Sequence, residues 1–193
     1  MEFFLIFLLS YIAGSIPFGL LITKLYGYGD VRNYGSGNIG ATNVLRTGSK
    51  KIAFLVLLLD FLKCYLPIFV TLIYYNLNIA GFCGLLSIIG HIFPIWLKFK
   101  GGKGVACFFA FLLAINPVFF VISLIIWIAV AAISKYSSLG SIISVISSLF
   151  LFLIYEHPIN IVIPLTIIIL IIFKHIDNIK RLIKNKENKI NLK

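Results

Sequence analysis

Val105-Ala-Cys-Phe-Phe-Ala-Phe-Leu-Leu-Ala-Ile-Asn116-Pro117-Val-Phe-Phe-Val-Ile-Ser-Leu-Ile-Ile-Trp-Ile-Ala-Val-Ala-Ala-Ile133 is an uncharged apolar run. It is longer than the roughly 17–25 residues that one membrane-crossing helix needs, and too short for two full ones. Near its middle Asn116-Pro117 is a turn or kink signal, because proline has no N–H and clashes with the preceding turn of a helix. Whether the chain turns there decides the topology. Five more apolar runs flank it, about Phe3–Leu25, Ile52–Tyr75, Gly81–Leu97, Leu139–Tyr155 and Ile159–Phe173. With a turn at Asn116-Pro117 there are seven spans. One side of the membrane then holds Lys24, Arg32, Arg46, Lys50 and Lys51, then Lys98, Lys100 and Lys103, then Lys135, then the basic tail from Lys174 to Lys193. The other side holds none of the 17 Lys and Arg, and Lys63 lies inside the second run. A single span would divide the basic links between both faces, against the positive-inside rule.

The expectation is an all-α, polytopic integral membrane protein of seven transmembrane helices, some short or re-entrant, with the amino terminus outside and the carboxyl terminus cytoplasmic. The whole chain, 1–193, reads as one transmembrane domain ending in a basic juxtamembrane tail over 174–193 that frays toward its end. Composition agrees: 61% of residues are hydrophobic, 12% are charged, and the mean hydropathy is +1.07. The net charge of +11 sits in short links, where it marks a membrane face and attracts anions rather than nucleic acid. Cys64, Cys83 and Cys107 are embedded in apolar sequence without metal-ligand spacing and read as reduced packing residues. The first run lacks a basic n-region and is kept as a helix rather than a cleaved signal.

Three polar islands interrupt this apolar background. Tyr34-Gly-Ser-Gly-Asn-Ile-Gly-Ala-Thr-Asn-Val-Leu-Arg46 has the composition of a phosphate cradle. Gly35, Gly37 and Gly40 let backbone amides converge, Ser36, Asn38, Thr42 and Asn43 add donors, and Arg46 adds a guanidinium fork. The glycine spacing also fits a dinucleotide fingerprint, but no strand precedes it. The second island, Gly90-His-Ile-Phe-Pro94 through Phe99-Lys-Gly-Gly-Lys-Gly-Val105, interleaves Lys100 and Lys103 with Gly101, Gly102 and Gly104. It could wrap a phosphate, with the next helix N-terminus aimed at the same spot. The third joins Lys135-Tyr-Ser-Ser-Leu-Gly-Ser141 to His175-Ile-Asp-Asn178, whose His175, Asn178 and Leu182 share a helical face. Inside the spans, Asp60 and Lys63 read first as a structural ion pair and second as a substrate contact. Gly14-Ser15-Ile16-Pro17 reads as a kink where a neighbouring helix comes close.

Together the islands resemble the PlsY family of bacterial membrane acyltransferases, which transfer an acyl group from acyl phosphate to glycerol 3-phosphate, and the resemblance runs from Gly14 to Glu187. It implies an enzyme of the bacterial inner membrane with its site facing the cytoplasm. Lysophosphatidic acid would be the product, in the first acylation of phospholipid synthesis. No cofactor, metal, nucleic acid or obligate protein partner is implied beyond the two substrates and membrane lipid. By matching positions, Ser36 and Arg46 are tied to activity, Gly101, Gly102 and Lys103 to the glycerol 3-phosphate loop, and His175 and Asn178 to the third motif, with Glu187 in a structural role. Cys107 stands where the family has Thr. Asn185 stands where it has Gly, which puts the approach of Glu187 in question. The residues themselves suit two phosphate anions held close together. His175, His91 and the departing phosphate are all able to take the hydroxyl proton, and a covalent Ser36 intermediate is the sharper alternative. The rival class is an anion transporter, which would need polar groups on both faces.

Overall fold

The computed structural model describes residues 2–47 and 49–190, and its regular structure is helical. In order these helices are α1 (Glu2–Ser15), α2 (Phe18–Leu25), α3 (Ala41–Val44), α4 (Lys50–Tyr74), α5 (Leu77–Ile92), α6 (Val105–Ile115), α7 (Pro117–Ser134), α8 (Ser137–Ile154), α9 (Val162–Lys174) and α10 (Ile176–Ile183). The chain does turn at Asn116-Pro117. Asn116 is extended, and its side-chain oxygen accepts from the Val118 and Phe119 N–H groups at 3.0 and 3.3 Å. Pro117 opens α7 where its missing N–H costs nothing. Ser49 and Asn76 cap α4 and α5 in the same way.

Among the described residues four helices, α4, α5 with its extension to Leu97, α7 and α8, are long and apolar enough to cross a membrane. The count is six if α1 with α2 and α9 with α10, bent by 42° and 52°, each make one crossing. The seventh expected span, α6, has 11 residues. Phe108, Phe111 and Leu112 of α6 are fully enclosed by neighbouring helices, which gives this short apolar helix the protein cover that a short or re-entrant segment needs.

The first run breaks at Ile16-Pro17, and the close neighbour is α5. A methyl group at Gly14 would fall 2.0 Å from the Ser87 carbonyl, and one at Gly90 2.3 Å from the Tyr11 carbonyl. Ser87 Oγ donates to the Ser10 carbonyl and Trp96 Nε1 to Ser15 Oγ across this seam. The Ile16 carbonyl beside the break accepts from Lys63 Nζ at 2.7 Å. Lys63 also contacts Asp60 Oδ1 at 2.6 Å. This buried pair therefore ties α4 to the broken first span, as the structural reading expects. In the tail, helix α10 ends at Ile183 and the described residues beyond it are irregular. After α10 the chain doubles back, and the Ile190 N–H donates to the Lys135 carbonyl at 2.8 Å. Residues 191–193, the end of the expected basic tail, lie outside the described residues.

Candidate active site

The first island is knitted by one buried side chain. Asn43, 2% exposed, places its Nδ2 at 2.8–2.9 Å from the carbonyls of Val31, Tyr34 and Asn38. Its Oδ1 accepts from the Ser36 N–H at 2.9 Å, from the Ser36 hydroxyl at 3.3 Å and from Arg46 Nη1 at 3.3 Å. Asn43, expected as a substrate donor, is thus the post around which Ser36 and Arg46 are arranged. Gly35 and Gly37 take the positive φ that the turn needs, whereas Gly40 is extended and precedes α3, its N–H donating to Asn38 Oδ1. A side chain at Gly35 would fall 2.6 Å from Arg46 Cδ, so this glycine also makes room for the guanidinium.

In the second island the glycines pack rather than point outward. The Gly101 and Gly102 N–H groups donate to the Ile92 and His91 carbonyls at 3.1 and 3.0 Å. A methyl group at Gly101 would lie 2.1 Å from the His91 carbonyl. Both amides are committed to this turn, and close packing is what requires glycine there. Lys103 turns inward, its Nζ donating to Asn178 Oδ1. Burial, with Arg181 nearby, pulls its ammonium down to about 8.

Asn178 Nδ2 donates to Glu187 Oε1 at 2.8 Å, and Arg181 Nε to Glu187 Oε2 at 2.7 Å, while Ser138 Oγ donates to Oε1 at 3.2 Å. Glu187 reaches this position because Asn185 makes the turn in place of glycine. It adopts φ 54°, its N–H donates to the Leu182 carbonyl, and the Lys186 N–H donates to the Arg181 carbonyl. This is the paired ending of a helix that exits through a left-handed residue, and asparagine is the side chain after glycine that best tolerates it. Asn185→Gly is expected to keep activity within about twofold and Asn185→Val to lower it at least about tenfold, since a β-branched residue disfavours positive φ. Initial rates of the two purified variants check this.

His175 caps the end of α9, 2% exposed, with Nδ1 at 2.8 Å from the Ile171 carbonyl. Burial outweighs that bond and holds the imidazole down to about 4, so at neutral pH it is uncharged and a weak base.

These pieces meet in one cavity of about 410 Å³. Ser36, Asn38, Gly40, Thr42, Asn43, Arg46, Lys103, Gly104, Ser141, His175 and Asn178 line it, whereas Gly37, Lys100, Gly101 and Gly102 do not. Ser137 and Ser138, inside the third island but not singled out in it, also line the cavity, and so does Trp127, which sequence reading missed. Thr42 meets Ser137 at 3.4 Å, and Trp127 Nε1 donates to Ser141 Oγ. No local pattern announces contacts between α3, α7 and α8. Phe54, Leu57, Phe109, Leu124 and Trp127 supply an apolar wall. The helices α6, α8 and α10 all begin at the cavity, and none of the three has a side-chain cap. Their first N–H groups and the positive ends of their dipoles are left for an anion. The site can hold two anionic groups against Arg46, Lys103 and open helix ends, next to a chain-like apolar group.

The sequence pattern of the family described as Glycerol-3-phosphate acyltransferase matches residues 4–185. Glycerol-3-phosphate acyltransferase of Bartonella henselae is 47% identical over 191 residues, covering 96% of this chain and 90% of the relative. That of Ehrlichia chaffeensis is 45% identical, covering 97% and 96%. The crystal structure of PlsY, an integral membrane glycerol 3-phosphate acyltransferase, in its glycerol 3-phosphate form superposes with a TM-score of 0.95 at 36% identity, covering 99% of this chain and 96% of that one. Its lysophosphatidic acid form gives 0.91 at 35% identity.

Proposed function

The chain belongs to the glycerol-3-phosphate acyltransferase family, and from that premise we propose that it moves a fatty acyl group from acyl phosphate to the 1-hydroxyl of sn-glycerol 3-phosphate, giving lysophosphatidic acid and phosphate. The protein works in the bacterial inner membrane as one transmembrane domain of seven crossings, with the amino terminus outside and the site open to the cytoplasm. The one-sided distribution of Lys and Arg supports that orientation.

The observation that carries the choice of donor is the pairing of two cationic centres on one cavity. Ser36 and Arg46 form the first and Lys103 with Asn178 the second, and the same cavity is lined by three helix N-termini without side-chain caps and by an apolar wall. One phosphate ester would be served by one such centre. A phosphate on each reactant uses both, and holding them together offsets the repulsion that otherwise separates two anions. The acceptor oxygen attacks the acyl carbonyl carbon, the bond from that carbon to the phosphate oxygen breaks, and the hydroxyl proton leaves on the departing phosphate. Ser36 has an amide oxygen, not a base, as its hydrogen-bond partner, so direct transfer is favoured over a covalent serine intermediate. Its hydroxyl is placed to donate to a phosphate or to the developing oxyanion.

The test is acyl transfer by the purified protein with palmitoyl phosphate, palmitoyl-CoA and palmitoyl-acyl carrier protein in parallel. Lysophosphatidic acid and inorganic phosphate are expected in equal amounts from the first donor alone, and equal turnover of a thioester would overturn the donor assignment.

A pH dependence follows from Lys103. With its pKa depressed to about 8, it is charged below that pH and neutral above. Attraction to the acceptor phosphate is therefore present at neutral pH and lost as pH rises. kcat/KM for glycerol 3-phosphate is expected to fall up to about tenfold per pH unit above 8. In Lys103→Arg the fall moves out of range because guanidinium stays protonated. A flat wild-type profile from pH 7 to 9.5 would remove Lys103 from acceptor binding.

A further inference from the structure

The apolar wall of the cavity follows helical stripes, and those stripes stop at one level. Ala53 and Leu57 of α4, Phe109 of α6, and Trp127 and Leu124 of α7 line the cavity. The next position on the α4 stripe, four beyond Leu57, is Phe61, and on the α7 stripe, four before Leu124, it is Phe120. Neither of these two lines the cavity. Their rings meet edge to face with centroids 6.3 Å apart, and Phe120 meets Phe109 in the same way at 6.2 Å. One ring from each of α4, α6 and α7 thus closes the space between the three helices. Behind this floor Phe61 stacks on Tyr65 at 5.8 Å and Tyr65 on Phe69 at 5.6 Å, so the α4 ring is held from the far side and cannot simply swing away. Asp60, at the same depth, has its charge met by Lys63.

We infer that Phe61, Phe109 and Phe120 are the specificity-determining residues for acyl-chain length, the floor of an arm that a short chain underfills and a long one must leave. The inference rests on the acyl-transfer reading given above. The occupant is the donor's acyl chain, because the arm is continuous with the cavity that holds Ser36, Arg46 and Lys103. From Trp127 to Phe120 the chain advances seven residues and from Ala53 to Phe61 eight, a depth of about 10–12 Å at 1.5 Å per helical residue. At about 1.2 Å per bond, the extended rise of one residue shared over its three backbone bonds, that depth holds about 8–10 carbons. Carbons beyond the floor turn aside past Phe54 and Leu57, which are 65% and 44% exposed, and lie in the bilayer. There they exchange one apolar contact for another and gain nothing, since lipid tails are as apolar as leucine. A chain too short to reach the floor leaves a void beside three fixed rings, and those rings lose contacts that nothing replaces. Length is therefore sensed up to the floor and ignored past it.

The experiment uses the purified full chain in detergent micelles with glycerol 3-phosphate and saturated acyl phosphates of six to eighteen carbons. Each competes with palmitoyl phosphate at equal mole fraction in the micelle, and the two lysophosphatidic acids are counted by mass, which gives the ratio of kcat/KM values free of partitioning. For the wild type that ratio is expected to rise by up to about fivefold per carbon, the effect of filling a methyl-sized void, and then to break near ten carbons and stay within about twofold beyond. Phe120→Ala deepens the arm and is expected to move the break about 2–4 carbons longer. Leu124→Phe raises the floor by one helical turn, about 5.4 Å, and is expected to move it about four carbons shorter. Phe150→Ala, on a side chain of α8 that is 57% exposed and outside the cavity, is expected to leave the break where it is. Thermal melts report which variants are folded. A wild-type profile that climbs smoothly to eighteen carbons, or a break that either folded arm variant leaves in place, would overturn the inference. Where Phe120→Ala does not fold, Leu124→Phe and the wild-type profile decide. Transfer without a break sinks this inference alone, whereas no transfer from any acyl phosphate sinks the functional reading beneath it.

Discussion

Asn43→Asp is expected to lower kcat/KM by at least about 10²-fold, the cost of misplacing reacting groups by roughly 1 Å, while the helical bundle keeps its thermal transition within a few degrees. The substitution changes one NH₂ to an oxygen. That NH₂ serves the carbonyls of Val31, Tyr34 and Asn38, and a carboxylate would face all three with no proton to offer. Leaving buried carbonyls unpaired costs about 1–3 kcal/mol each, more than a short loop closed by two small 3₁₀ turns and a four-residue helix can absorb. The new charge would also pair with Arg46, removing it from any phosphate. The damage is confined because the main core cluster, built on α4 to α9, does not include residues 30–47, and loops of this kind open locally without unfolding the rest. Acyl-transfer rates and a melt in detergent check both halves, and a variant with near-normal kcat/KM would show that Asn43 does not position Ser36 and Arg46.

What could be read from sequence, and what could not, follows from range. Asn116-Pro117 was legible because both of its effects, a side-chain cap and a missing N–H, act within three residues. The kink at Pro17 and the pairing of Asp60 with Lys63 were legible for the same reason. The gathering of three islands into one cavity could be argued only through charge, since every basic link had to share a face. The glycines show the limit. Gly35 and Gly37 do supply positive φ, as their composition suggests, but Gly101 and Gly102 are small because His91 lies against them, and that contact spans ten residues and a turn. Likewise Asn43 looked like one polar donor among several. Nothing local says that it would be the buried member. Asn185 shows the reverse case: its departure from the glycine of the family pattern looked damaging to Glu187, yet the backbone needed only a residue that tolerates a left-handed turn.

The second large effect is expected at the pair that ties α4 to the first span. Lys63→Leu removes the ammonium that lies 2.6 Å from Asp60 and 2.7 Å from the Ile16 carbonyl. With side chains about 3% exposed on both sides of the pair, no solvent takes its place. Removing one partner of a buried ion pair costs about 3–5 kcal/mol, because the other charge is left uncompensated. That is a large share of the stability of a domain of this size. Asp60→Leu is expected to be as damaging, with the ammonium stranded instead. The double substitution Asp60→Leu/Lys63→Leu leaves no buried charge and is expected to recover most of the loss, since apolar replacements of such pairs are often neutral. It should not recover all of it: the Ile16 carbonyl at the break before Pro17 loses its charged donor and keeps only the Phe18 N–H at 3.1 Å. Thermal midpoints of the wild type and three variants in one detergent give the coupling directly. A double variant no more stable than either single one would mean that the pair is not what holds these helices.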